Sequence, residues 1–227
     1  MVDDFLPSVL LDVAWPQSKH KSKTASLGNT IKPKKLQGRP LIHIHPDQNS
    51  NLPYPWPVEM PFTVILTDPD APSRENPKWS EFCHWIITGI PATPSFPIVV
   101  STSSSSSPPF SPWTSSSTSS SSSLSSFHSP VSDNALDLDE AEVETDDNFK
   151  IREIVPYHPP GPPPKTGKHR YVFLALTPVN ATTEGLNLTT PAGRQHWGYD
   201  GYGGVREWAV ENGLRVVGGN FVYAKND

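Results

Sequence analysis

Two aspartates, three prolines and one histidine crowd into a single stretch, TDPDAPSRENPKWSEFCHW, from Thr67 to Trp85. A second histidine, His169, follows far along the chain, two residues before Tyr171. Two histidines can bind an anion when protonated, and an ordinary imidazole pKa of about 6.5 makes such binding pH-sensitive. An aspartate beside them makes sense if it accepts a hydrogen bond from an imidazole, which fixes the ring and favours its charged form. Tyr171 adds a hydroxyl donor. Asp68, Asp70, His84 and His169 each lie at or near an expected strand end flanked by proline-rich loops and are expected to converge, and an anion to bind more tightly below about pH 6.5 than at pH 8. The same residues could support acid–base chemistry or hold a metal. No G-x-S-x-G or H-E-x-x-H pattern accompanies them, and nothing supplies an activated nucleophile. The reading is a binding site with no catalytic residue, no metal and no cofactor, in a protein that is not an enzyme.

Two other arrangements invite chemistry. Cys83 precedes His84, but neighbours in a strand point to opposite faces, so Cys83 reads as a small core residue. His43 and His45 share a strand face in a His-x-His spacing. With no acidic or cysteine partner nearby in sequence, they read as a solvated face.

The central stretch sits between two strand-like runs, Phe62 to Thr67 and His84 to Thr88, and Pro69 and Pro72 stiffen the loop between them. Upstream, Val9 to Trp15 reads as a strand ended by Pro16, Gln17 to Thr24 as an exposed turn, and Ile31 to Pro40 as an irregular connection. Leu41 to His45 alternates as a half-buried strand, and Asn51 to Pro61 is an extended loop. Downstream come a strand at Ile151 to Val155 and the run Pro159 to Pro164. That run is better read as a rigid pocket wall than as a partner-binding polyproline ligand. A strand at His169 to Leu176 and a turn-rich segment over 178–203 follow. The glycine-rich Gly198 to Gly204 fits no phosphate-binding pattern and reads as a loop. Val205, Trp208 and Ala209 share one face of a short helix over Val205 to Asn212, with Gly213 as its C′ residue. Leu214 to Ala224 is the last strand, with a bulge at Gly218-Gly219. Many short strands and one or two short helices predict a mostly β fold, an antiparallel sandwich. Periodicity alone does not separate a sandwich from a barrel.

Proline, at 27 of 227 residues, disfavours long helices. The formal charge of −5 provides no field for nucleic acid or an acidic membrane, and no basic cluster is evident. A lone cysteine excludes an internal disulfide. No apolar run reaches the ~18 residues of a membrane span, and the N-terminus lacks signal or transit character. The sequons at Asn180 and Asn187 therefore read as chance, and the expected compartment is the cytoplasm, with vacuolar association only through a partner. Residues 92–147 are rich in Ser, Thr and Pro and then in acids, which predicts a disordered insertion. Residues 1–91 and 148–227 would then form one discontinuous domain. Ser107, Ser111 and Ser129 each precede proline, a proline-directed phosphoacceptor pattern.

Asp68-Pro69-Asp70-Ala71-Pro72-Ser73-Arg74, His84, Gly161-Pro162-Pro163 and Gly167-Lys168-His169-Arg170-Tyr171 together resemble the two signature blocks of the phosphatidylethanolamine-binding protein family, in the family's order. Likeness extends through Val9 to Trp15, Leu27 to Thr30 and Gly219 to Ala224, but not through 92–147. The run Trp79 to His84 and the tail look like the fungal branch, which includes inhibitors of serine carboxypeptidases. The resemblance implies a Greek-key β-sandwich with an anion pocket at one end. Asp68, Pro72, His84, Pro163, His169 and Tyr171 would line it and bind phosphate-bearing or phospholipid head groups. Asp70, Ser73, Arg74, Gly161 and Pro162 would support it, and Phe82 stands where many animal members carry tryptophan.

Within that resemblance the leading role is a serine carboxypeptidase inhibitor or a regulator of signalling. The alternatives are a head-group binder without protease inhibition and a mitochondrial ribosome-associated subunit. Inhibitory relatives carry a leader ahead of the position of Asp3-Asp4-Phe5, near which this sequence starts. The missing transit peptide and acidic charge weigh against the ribosomal role.

Overall fold

The computed structural model describes residues 6–47, 60–92, 150–183, 186–201 and 203–226. Apart from Ala92, the expected insertion over 92–147 lies outside the described residues, as do most of the Asn51 to Pro61 loop and the three serine-proline sites.

Nine strands and one helix make up the described fold. The strands are β1 (Val9–Ser18), β2 (Lys21–Thr24), β3 (Asn29–Thr30), β4 (Leu41–Pro46), β5 (Phe62–Asp68), β6 (Phe82–Ile90), β7 (Arg152–Val155), β8 (Lys168–Pro178) and β9 (Leu214–Lys225). The helix α1 is Val205–Glu211, and 3-10 turns occupy Pro33–Lys35 and His196–Gly198. A three-stranded sheet runs β2-β1-β4, and a six-stranded sheet runs β3-β9-β8-β5-β6-β7. Within the larger sheet, β5, β6 and β7 follow one another and β8 returns beside β5, which is the Greek-key order. Every pair is antiparallel except β3 with β9, so the larger sheet is mixed at one edge.

The two sheets enclose one apolar layer. Val9, Leu11, Val13 and Trp15 alternate inward from β1 and meet Phe62, Val64, Leu66, Trp85 and Phe173 of the larger sheet. Trp15 stands edge-on to Phe173 at 5.6 Å between ring centroids. The opposite face of the larger sheet is also covered. Ile65, Cys83, Ile86, Leu174 and Leu176 pack with Trp197, Val205, Trp208 and Leu214. This third layer explains why β5 reads FTVILTD without alternation and is buried along its whole length: both faces are inside.

Three expectations need correction. β1 does not stop at Pro16; it continues to Ser18 with a register shift, because the proline lies where the ladder already slips. Lys21 to Thr24 is a strand of a hairpin rather than a turn. His45 does have an acidic partner: Asp12 comes across from β1, with its Oδ2 at 3.2 Å from Nε2. No cluster of three or more metal-ligating side chains occurs among the described residues.

Elsewhere the elements stand as read. Val205, Trp208 and Ala209 are the buried side of α1, and Gly213 follows the helix at φ +62°, where left-handed backbone favours glycine. The β8–β9 ladder shifts between Ala175 and Leu176, where Val216 and Gly218 are successive partners. A Cβ on Gly218 would lie 2.6 Å from a Val9 methyl, so the absent side chain lets β1 close over the bulge.

Candidate functional site

The C-terminal end of β5, the start of β6 and the start of β8 bring the site residues together, because Asp68 is the partner of Phe82 and β8 runs alongside β5. Asp68 is buried at the last position of β5. Its Oδ1 accepts the Asp70 amide at 2.8 Å, and its Oδ2 meets His169 Nδ1 at 2.8 Å. Burial pushes the Asp68 carboxyl above its ordinary range, and the contact with His169 partly offsets this. His169 Nε2 lies 2.9 Å from the Thr166 hydroxyl, which also donates to the Pro163 carbonyl at 2.7 Å. Both ring nitrogens of His169 are therefore occupied.

Tyr171 lies one β-repeat beyond His169 on the same strand face, and the two rings stack at 6.4 Å. Burial, followed by the negative charge of Asp68, drives its phenol pKa upward, so the hydroxyl stays neutral. Its oxygen also meets the Gly161 amide, which ties the proline-rich loop to β8.

His84 presents the opposite case to His169. Its Nδ1 is 2.8 Å from the carbonyl oxygen of His158. A carbonyl can only accept, so Nδ1 carries the proton and Nε2 is left with a lone pair when the ring is neutral. The ring packs against Phe82 at 4.9 Å, Tyr171 at 5.2 Å and the His158 ring at 5.3 Å. Burial lowers its pKa to about 3, and the nearby charges of His158, Arg194 and His169 act in the same direction. Protonation of both histidines near pH 6.5 is therefore the wrong account of this site. His84 is neutral there, because its ring is desolvated and a permanent cation stands close by.

That cation is Arg194, from the segment before α1. Its guanidinium donates to the carbonyls of Cys83 at 3.0 Å, His84 at 3.1 Å and Pro156 at 2.8 Å. It clamps the start of β6 to the proline-rich loop, and no carboxylate among the described residues neutralises it.

A family description, phosphatidylethanolamine-binding protein, matches residues 21–222. The chain belongs to the phosphatidylethanolamine-binding protein family. Over 97% of its length it is 27% identical to the carboxypeptidase Y inhibitor of Saccharomyces cerevisiae, covering 86% of that protein. It is 30% identical to the protein FLOWERING LOCUS T of Arabidopsis thaliana over 41% of the chain and 45% of that relative. Its fold matches the carboxypeptidase Y inhibitor solved in complex with its cognate proteinase, at a TM-score of 0.66 and 25% identity, covering 98% of this chain and 86% of that one.

Of the residues that the family resemblance assigned to the pocket, Asp68, His84, His169 and Tyr171 lie together as described. Pro72 is half-buried and follows a cis Ala71–Pro72 peptide. Pro163 is exposed and takes part through its carbonyl, while Pro162 is buried. Asp70 is buried at 1% exposure and forms a two-pronged ion pair with Arg170, with N–O distances of 2.7 and 2.9 Å. Burial would raise its carboxyl, but the Arg170 contacts outweigh this and hold it below the ordinary range. Arg74 stands at 4.0 Å from Asp70, and Ser73 caps the loop by accepting the Asn76 amide at 3.1 Å.

Four residues were given no role from the sequence: His158, Thr166, Arg194 and Arg170, the last quoted only within the signature block. Arg170 and Thr166 carried a signal, since both flank His169 closely enough to face the same loop. Arg194 and His158 carried none, because their roles depend on backbone carbonyls that only the folded chain brings into range.

Proposed function

We propose that this family member is a non-catalytic binding protein whose ligand is a phosphate-bearing anion held at His84. One observation carries this reading: a 95%-buried histidine whose Nε2 makes no hydrogen bond among the described residues, with its carbonyl held by an arginine that no carboxylate among them neutralises. A half-buried permanent charge attracts an anion at any physiological pH. Asp68 and Tyr171 act behind it by holding His169 and Gly161 in place. Residues 1–91 and 148–227 act as the one domain that carries the site.

The test is equilibrium dialysis with phosphoethanolamine at pH 6, for the full chain and for His84→Phe. Saturable binding that the substitution abolishes supports the site, and equal binding by the variant refutes it.

A second role is favoured by similarity across 97% of the chain to a peptidase inhibitor. In this reading the protein inhibits a serine carboxypeptidase in the cytoplasm or at the vacuole, through surfaces separate from His84. Stoichiometric loss of peptide hydrolysis on titration with the intact protein, unchanged in His84→Phe, supports it. Absence of inhibition at micromolar protein removes it and leaves head-group binding or signalling as the role.

A further inference from the structure

We propose that the free edge of β2 takes an extended acidic segment of a partner protein as a further strand, with the lysines of the β1–β2 hairpin and of the Pro33–Lys35 turn pairing its carboxylates. The His84 site is built by other elements, so this surface goes beyond the anion-site reading and is tested apart from it.

The formal charge of −5 conceals the surface. From Val13 to Pro46 the sequence holds six lysines and one arginine but no aspartate or glutamate. The lysines fall in two groups along the chain, and the fold joins them. Lys19, Lys21 and Lys23 lie in the hairpin of β1 and β2. Gln17 of β1 donates to the Lys35 carbonyl at 2.9 Å, which holds the hairpin against the 3-10 turn that carries Lys34 and Lys35, with Lys32 at its N-cap. All six lysines are exposed, and none forms an ion pair among the described residues. Like charges held together in this way repel one another, and an anionic partner relieves the repulsion.

β2 offers more than charge. It pairs with β1 alone, and all four of its residues are exposed. Lys23 stands opposite Trp15, on the inward face of the sheet, and is nonetheless open to solvent, so β2 runs past the edge of the core. In an antiparallel ladder alternate residues turn their N–H and C=O groups away from the partner strand, so the outer edge can hydrogen-bond a further strand. The Thr24 carbonyl is already taken by the Asn29 amide at 2.8 Å, which leaves the stretch from Lys21 to Lys23. Edge lysines keep ordinary apolar strands from adding by mistake. A strand with carboxylates at alternate positions reverses the sign of that barrier.

Just past β2, Leu27 is 73% exposed and held at φ +42°, a left-handed conformation that costs a leucine strain. Its amide donates to the Asn220 side chain at 3.1 Å, and Gly28 behind it fits so closely that a Cβ there would lie 2.8 Å from the Phe221 ring. The turn thus presents a large apolar side chain to solvent beside the lysines, which suits an apolar residue of the same incoming segment. Other polyanions fit less well. No Phe, Tyr or Trp occurs from Gln17 to Arg39 to stack bases, and one arginine alone is present for forked phosphate contacts. A bilayer would answer the charge and leave the backbone edge unused.

The test is fluorescence anisotropy of the full chain with a labelled peptide of alternating glutamate and threonine flanked by leucines. The control is the same peptide N-methylated throughout, which keeps the charge and removes the donors that a ladder needs. The unmodified peptide is expected to bind saturably and at least about tenfold more tightly than the control. Binding should weaken from about 0.01 to about 0.15 M salt, as the screening length falls from roughly 30 to 8 Å. Lys21→Glu with Lys23→Glu, both at exposed positions, should weaken it about tenfold or more without lowering the thermal midpoint. Leu27→Asn suits the left-handed turn and removes the apolar contact, so it should weaken binding about fivefold while keeping or raising stability. His84→Phe should bind the peptide as wild type does, so loss of anion binding and loss of peptide binding are separable. Equal binding of the N-methylated control, peptide affinity unchanged by the lysine reversals, or no saturation at millimolar peptide overturns the proposal. Tighter binding of poly(U) or of phosphatidylserine vesicles than of the peptide overturns it too, in favour of a nucleic acid or a membrane surface.

Discussion

His84 donates its Nδ1 proton to the carbonyl oxygen of His158 at 2.8 Å, and that bond determines what the ring offers at its other nitrogen. His169, the other histidine of the cluster, has both nitrogens occupied by Asp68 and Thr166. Two residues of the same type in one cluster thus differ: one is engaged at both nitrogens, and the other leaves Nε2 without a hydrogen bond among the described residues.

Burial lowers the His84 pKa from 6.5 to about 3, so the unfolded ring takes up a proton before the folded one does. Its contribution to stability is fully present above pH 6.5 and is lost as the pH falls toward 3, at about 1.4 kcal/mol per pH unit. Asp68 works the other way, because its carboxyl is raised. The comparison with His84→Phe isolates the histidine. Urea denaturation between pH 7 and pH 4 should show wild type losing stability relative to the variant as the pH falls. Parallel curves would show that His84 is not desolvated.

The Asp70–Arg170 pair locks the loop after β5 to the start of β8. Removing Arg170 leaves the buried Asp70 charge uncompensated, so Arg170→Met should cost about 3–5 kcal/mol, whereas Asp70→Asn leaves the part-exposed Arg170 and should cost less, about 1–3 kcal/mol. Because Asp70 is held below its ordinary range, its contribution is present above about pH 3.8 and lost in stronger acid. Urea midpoints of the two variants at pH 7 provide the check, and a change within about 0.5 kcal/mol, the size of an ordinary surface substitution, would contradict the assignment.

Much of this was legible in the sequence, for identifiable reasons. Val9 to Trp15 read as a strand from its composition, but Leu10 is apolar and exposed between buried Val9 and Leu11, so the inward set Val9, Leu11, Val13 and Trp15 is settled by the packing. The i, i+3, i+4 set Val205, Trp208 and Ala209 marked the buried face of α1 by its period. β5 does not alternate, and only the layer formed by Trp197, Trp208 and their neighbours explains why. Pro16 misled as a strand stop because a register shift is invisible to propensity. Asp12 and His45 are 33 residues apart, and their contact runs diagonally across the β1–β4 ladder, where Asp12 stands opposite His43. The neutral state of His84 was hidden for a related reason. Ordinary imidazole chemistry predicts titration near pH 6.5, and nothing local announces the aromatic rings and the arginine that prevent it.

The break between β6 and β7 allows a direct test of the domain proposal. Thr88 pairs with Arg152, and Gly89 lies so close to Lys150 that a Cβ there would sit 2.6 Å from its carbonyl. The chain thus leaves and returns at adjacent points. Replacing residues 93–149 by a four-residue turn should preserve the fold and add about 2 kcal/mol through the shorter loop. Loss of the cooperative unfolding transition would show that the removed segment belongs to the core.

Cys83 is sealed in the outer layer, and burial pushes its thiol pKa up to about 12. The native protein should resist iodoacetamide at pH 8 for hours and react fully in urea. Rapid alkylation without denaturant would mean that the layer formed by Trp197 and α1 opens readily.

The most direct test of the account is nitrogen NMR of protein labelled at histidine, recorded before and after addition of inorganic phosphate at pH 6. Free His84 should show a protonated Nδ1 and an unprotonated Nε2, and phosphate should shift the Nε2 resonance markedly while the His43 and His45 signals stay in place. A protonated His84 Nε2 in the free protein, or an Nε2 resonance unmoved at saturating phosphate, would contradict it.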